Sequence, residues 1–249
     1  MRQRLQSRLT PAAPATSFSL AAILALAVVG VLVLGGGKAA AVQQLSCGDT
    51  ITTDTTLHHN LVNCPNNGIM IGADNVTLDL NYHTIDGDAA PCTGCHPRTE
   101  WTDIGVVNLG QSPDIGTGHD GVTVMHGSVH GFNAGVNIGL ASHNRVLGIS
   151  ASSNHFFGIG LVEMARSVIG NSSGNGSISH ESSGSFIFRS HHVRVLHNSF
   201  RNNGETGFGV FDSSHNLIKG NRTSRNEFGI SLERDLNQAG QRHKTPVSF

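Results

Sequence analysis

Charge is scarce in this sequence: 13% of its 249 residues are Asp, Glu, Lys or Arg, and the formal net charge is -1. A nucleic-acid binder needs a basic face to neutralise phosphates, so that partner class is excluded. Aromatics are equally thin at 5%, with one Trp (Trp101) and one Tyr (Tyr82), a sparse supply of rings for stacking against sugars. No ten-residue amphipathic helical pattern follows Val42, and no second long apolar run follows the N-terminal one. Beyond that first segment, therefore, nothing reads as a membrane span.

What is present favours short strands and tight turns. The chain holds 31 Gly, with Asn and Ser frequent and 38% apolar residues. Gly and Asn are poor helix formers, and Asn tolerates the left-handed backbone that turns require.

Residues 1–41 read as a targeting segment. Arg2, Arg4 and Arg8 precede an apolar run from Phe18 to Leu34, and Ala39-Ala40-Ala41 offers small residues for cleavage after Ala41. The run is long for a signal peptide and nearly spans a bilayer, so an uncleaved anchor is the alternative. Either way, residues 42–249 are expected outside the cytoplasm, secreted or tethered. All four cysteines lie there, where oxidation is permitted, and allow three pairings. Local closure favours Cys47–Cys64 and Cys92–Cys95.

One pattern recurs: Gly followed by apolar residues two apart, beginning at Gly68, Gly105, Gly135, Gly158, Gly184, Gly207 and Gly229. From Gly135 the steps are 23, 26, 23 and 22 residues, a period that marks stacked supersecondary units. A second short strand follows ten or eleven residues later, at Arg145-Val146, Ser167-Val168, Arg194-Val195 and Leu217-Ile218. Asn154, Asn203 and Asn226 precede the next Gly and are placed to bond amide to amide between coils. Strands this short form a sheet only by stacking in parallel, about 4.8 Å apart. The expected fold is all-β, a right-handed parallel β-helix solenoid of 22–26 residues per coil, with a loop insertion at 88–104 and a tail at 236–249. A leucine-rich repeat has a similar period but needs a dense Leu framework, which is missing. If Gly184 aligns with the other glycines, Phe186 and Phe188 face outward.

The stretch Gly68-Ile69-Met70-Ile71-Gly72-Ala73-Asp74-Asn75-Val76-Thr77-Leu78-Asp79-Leu80-Asn81, with His83-Thr84-Ile85-Asp86-Gly87 after it, resembles the right-handed parallel β-helix repeat proteins exported by bacteria. That superfamily includes pectate lyases, alginate epimerases and lyases, and the copper-site maturation proteins of nitrous oxide reductase (NosD-like). The resemblance covers roughly Cys47 to Arg234 and implies the fold together with contact to extracellular or envelope polysaccharide. It leaves a non-catalytic surface or assembly scaffold, and a NosD-like metal-handling accessory, as alternatives. Tyr82 departs from the Gly expected between Asn81 and His83, and the stack beyond Gly229 is shorter than in many relatives.

Several constellations could carry chemistry. Cys92-Thr93-Gly94-Cys95-His96 matches the c-type haem attachment pattern. No distal ligand accompanies it, so it reads as a disulfide-tied insertion, and no cofactor is expected. Among 15 His residues, His143, His191 and His215 occupy similar turns. His191 and His215 are expected one coil apart, a spacing compatible with a shared Cu or Zn ion, although solvated turn residues explain them as well and no metal site is assigned. Gly118-His119-Asp120-Gly121 faintly resembles the Gly-His-Gly element of inverting pectin hydrolases, but the Asp clusters of those enzymes are missing. If there is an activity, it is lyase-like. The best candidate is a column of charges five residues after successive glycines: Glu163, Arg189, Asp212 and Arg234. Glu163 and Asp212 then lie two coils apart, about 9–10 Å, with Arg189 between them to steady a uronate carboxylate. The competing explanation is a surface ion-pair ladder. The exposed edge of the last coil invites self-association.

Overall fold

The computed structural model describes residues 44–90, 102–108, 118–175 and 183–233, and the backbone of 247–248. Among them there is no helix, and so none long and apolar enough to cross a membrane. The targeting segment, Cys92, Cys95, Trp101, Arg234 and most of the tail lie outside the described residues.

The chain is a right-handed parallel β-solenoid. One sheet stacks eight strands: Asp49–Ile51, Ile69–Ile71, Ile104–Asn108, Ala134–Gly139, Phe157–Val162, Ser183–Phe188, Thr206–Phe211 and Phe228–Glu233. The second sheet carries the return strands. Thr123–His130 and Arg145–Ser152 run through a bend there, while neighbouring coils break at the same bend into pairs such as Val168–Gly170 and Ser173–Asn175.

Period-two alternation decides what is inside. Val136 pairs with Ile159, then Ser185, then Phe208, and all four are fully buried. On the opposite wall, Leu78, Val124, Val146, Ile169, Val195 and Ile218 form a second buried column. Each such side chain contributes roughly 1.5–3 kcal/mol of burial, and neighbours one coil away complete its cavity. Turns are tied from coil to coil by buried amides: Asn203 Nδ2 donates to Asn226 Oδ1 at 2.9 Å, and Asn198 Nδ2 to Asn221 Oδ1 at 2.9 Å. The Asn column anticipated from the repeat therefore exists at Asn203–Asn226, whereas Asn154 Oδ1 accepts from the Phe132 N–H.

Ile69 pairs directly with Val106, so these two strands stack in register although a long segment separates them in sequence. Cys47 and Cys64 form a disulfide, Cα atoms 5.4 Å apart, that closes the first coil.

At the other end, Val247–Ser248 pairs in parallel with Asn216–Lys219, at Asn216 and Leu217. The tail thus returns over an edge that would otherwise present unpaired backbone groups. Deleting residues 236–249 is expected to raise aggregation, measured by light scattering during thermal unfolding. A monomeric, equally stable truncated chain would show that this strand protects nothing.

Candidate functional site

The outer face of the eight-stranded sheet gathers phenylalanines beside a corner of charged residues. Gly184 aligns with Gly158 and Gly207, which puts Ser185 inside and Phe186 and Phe188 outside. Ser185 satisfies its buried hydroxyl by donating to the Gly184 carbonyl at 2.7 Å. Phe186 stands between Gly160 and Gly209 in its column, and the bare glycines leave room for rings. A β-carbon at Gly160 would press on Phe157 and Phe186, and one at Gly209 would collide with Phe211. Phe157 and Phe186 meet edge to face at 4.8 Å, and Phe186 and Phe211 at 6.3 Å. Ile104, Val107 and Ala134 continue this apolar floor towards the N-terminal coils.

Polar groups bound the floor on one side. Asn137 sits in the column of Val107 and Gly160, 1% exposed, and neither atom of its amide has a hydrogen-bond partner. The Asn133 amide is likewise buried and unpaired. Leaving a buried polar group unmet costs about 1–3 kcal/mol, so these amides weaken the fold locally. Beside Asn133, Asp103 accepts the Asn133 N–H through Oδ2 at 2.9 Å, while its Oδ1 is buried without a partner. Burial pushes the Asp103 carboxyl up from the ordinary 3.8 to about 6, opposed by that hydrogen bond, with Asp88 raising it further and His155 lowering it.

The charged column stands on the opposite rim. Glu163, Arg189 and Asp212 occupy one corner of successive coils, all left-handed, with φ of 52°, 47° and 46°. Stacking holds this unfavourable backbone in place: the Glu163 N–H donates to the Phe188 carbonyl (2.8 Å), Arg189 to Phe211 (3.0 Å) and Asp212 to Glu233 (3.0 Å). Each charge therefore follows directly on an outward residue of the floor: Val162, Phe188 or Phe211. Arg189 lies 3.5 Å from Glu163 Oε1, and its Cζ is 4.8 Å from the centroid of the Phe188 ring. With side chains 50% and 41% exposed, the Arg189–Glu163 pair contributes at most about 1 kcal/mol to stability.

The histidines arrange differently from the expectation. Ser214, not His215, pairs with His191, so the imidazole above His215 is that of His192, stacked at 5.3 Å and 14°. His191 meets His192 edge-on. No group of three or more His, Cys, Asp or Glu converges on a common point among the described residues. His119, the nearest match to a hydrolase motif, has its Nδ1 3.2 Å from Asp74 Oδ1.

Reading the sequence for Trp and Tyr undercounted the aromatic surface, because Phe is ambiguous: Phe200 and Phe208 stack inside the core at 5.2 Å, while Phe186, Phe188 and Phe211 face out. Only the register separates the two sets. Asn137 and Asp103 were missed because nothing local distinguishes an orphaned buried amide or carboxyl from a paired one.

The Asp103 carboxyl binds its proton more tightly in the folded chain than in the unfolded one. Its contribution to stability is therefore expected to be fully present below about pH 3.8 and to fall away as the pH rises through about 6. Asp103→Asn should abolish that fall, so that it stabilises the chain at pH 8 more than at pH 4. Superimposable melting-temperature profiles of the two proteins would contradict the assignment.

Residues 162–239 match the family model described as right handed beta helix region. Curated protein sequences give no match. Among solved structures, the crystal structure of the Agl-KA catalytic domain is similar over 76% of this chain and 41% of that one, at 14% identity and a TM-score of 0.42. Register, strand order and family match agree that the chain is a right-handed parallel β-helix.

Proposed function

We propose that this is an exported protein that binds polysaccharide, preferentially acidic, across the outer face of the eight-stranded sheet. The observation that carries the reading is the position of Arg189, at the rim of a phenylalanine floor and stacked over Phe188. Sugars offer a C–H face that packs on aromatic rings, and uronates add a carboxylate that a guanidinium can grip through two parallel hydrogen bonds. Glu163 already holds Arg189 loosely, so a carboxylate ligand exchanges one weak contact for another of better geometry. The export part of the reading rests on the N-terminal segment.

Exposure of Phe228 (52%) and Leu232 (50%) on the terminal strand favours a second reading, an assembly surface. The two separate experimentally. Arg189→Ala is expected to weaken binding of oligogalacturonate, followed by calorimetry, on the order of tenfold or more, as befits a lost charge-assisted hydrogen bond. Its melting temperature should move little, because the ion pair is half-exposed. Unaltered affinity, or a thermal defect alone, would reduce the column to a surface ion pair. Phe186→Ala should weaken binding as well.

A further inference from the structure

The second sheet carries another concave site, unrelated to the charged column. Its bend is a column of left-handed residues on successive coils: Tyr82, His126, Gly148, Asn171, His197 and Gly220, with φ between 50° and 69°. The backbone keeps them in register, since Tyr82 N–H donates to the His126 carbonyl, His126 lies opposite Gly148, and the Asn171 N–H donates to the Leu196 carbonyl just before His197. Side chains here project along one edge of the solenoid, about 4.8 Å apart.

The column is broken at Gly148. On one side, the rings of Tyr82 and His126 stack at 5.7 Å and 16°, and His126 Nδ1 lies 3.3 Å from Asp79 Oδ1. A β-carbon at Gly148 would lie 3.5 Å from His126 Cδ2, ordinary contact distance, so the space for a side chain exists and is empty. On the other side stand Asn171 and His197. The gap opens into a shallow cleft of about 250 Å³, open to solvent, whose lining includes Gly148, Ser150, Asn171, Ser173, His197 and Ser199. Ser150, Ser173 and Ser199 are aligned coil on coil, and the Ser173 hydroxyl donates to Ser150 Oγ at 3.3 Å.

We propose that this cleft binds a single ring of a neutral sugar. Its lining offers hydroxyls, an amide and an imidazole but no carboxylate, guanidinium or ammonium, so nothing in it would hold an anion or a cation. Hydroxyls and amides both give and accept hydrogen bonds, as sugar hydroxyls do, and they present them at the coil spacing. The cleft is smaller than the roughly 300–1,000 Å³ of most pockets for drug-sized ligands, which suits one ring rather than several. The gap itself is one side chain deep beside a flat imidazole, against which a ring can lie.

Gly148→Asn tests this directly. Asn171 already adopts the same left-handed conformation one coil away, so Asn fits the backbone at 148 and fills the gap. Asn171→Gly removes the amide without straining the turn and serves if the first variant folds poorly. Binding of cellohexaose, maltohexaose and xylohexaose to the whole chain is measured by calorimetry, with melting temperature as a control. The wild type should bind at least one of the three, and the folded variants should lose on the order of tenfold or more in affinity, the worth of one or two hydrogen bonds. Binding of oligogalacturonate should be unchanged in Gly148→Asn and Asn171→Gly, which keeps the outcome separate from that of the acidic-polysaccharide site. No binding to any of the three sugars, or full affinity in a folded Gly148→Asn or Asn171→Gly, would overturn the proposal.

Discussion

In-register stacking of one coil on the next is the interaction on which the rest of this molecule depends. Among the described residues no strand exceeds eight residues, and none could persist alone. Each inward Val, Ile or Leu is buried only because the coils above and below complete its cavity, and each short strand finds its hydrogen bonds only in those coils. Register is therefore strongly specified: a slip of one residue would exchange every inward side chain for an outward one. The Asn pairs at 198–221 and 203–226 lock it further, since an offset would leave the buried amides of Asn198 and Asn203 unmet.

The same register builds the outer faces without separate instructions. Once Ser185 is inside, Phe186 and Phe188 must be outside, and the left-handed corner that follows must display Arg189 beside Glu163 and Asp212. The corner of the second sheet obeys the same rule with different residues. There a Gly interrupts a column of larger side chains, and the interruption becomes a cleft. Function in such a solenoid is thus a matter of what each coil contributes to a shared column, not of a single loop.

This explains what could and could not be read in advance. The glycine spacing from Gly135 onward carries the coil length, and counting from each glycine placed Glu163, Arg189 and Asp212 correctly, because those coils hold no insertion within the strand and corner. The Cys47–Cys64 pairing was legible as local closure. His191 was matched to His215 by its Ser-His context, but backbone pairing puts His191 opposite Ser214, one residue away. The corner of Tyr82 and His126 was hidden because the segment between Gly87 and Ile104 separates the two coils in sequence while leaving them adjacent in space. The outward turn of Phe186 and Phe188 was conditional on Gly184 aligning with the other glycines, and the pairing of Ser185 with Ile159 and Phe208 supplies that alignment.

If the aromatic floor and the charged corner act as one binding surface, a ligand must protect them together. Hydrogen–deuterium exchange of the chain with and without oligogalacturonate tests it most directly. Saturating ligand is predicted to slow exchange in the backbone around residues 157–163, 183–189 and 206–212 together, three strands with their corners, and to leave the second sheet unchanged. Protection confined to the second sheet or the terminal strand, or none at all under conditions where the ligand binds, would contradict it.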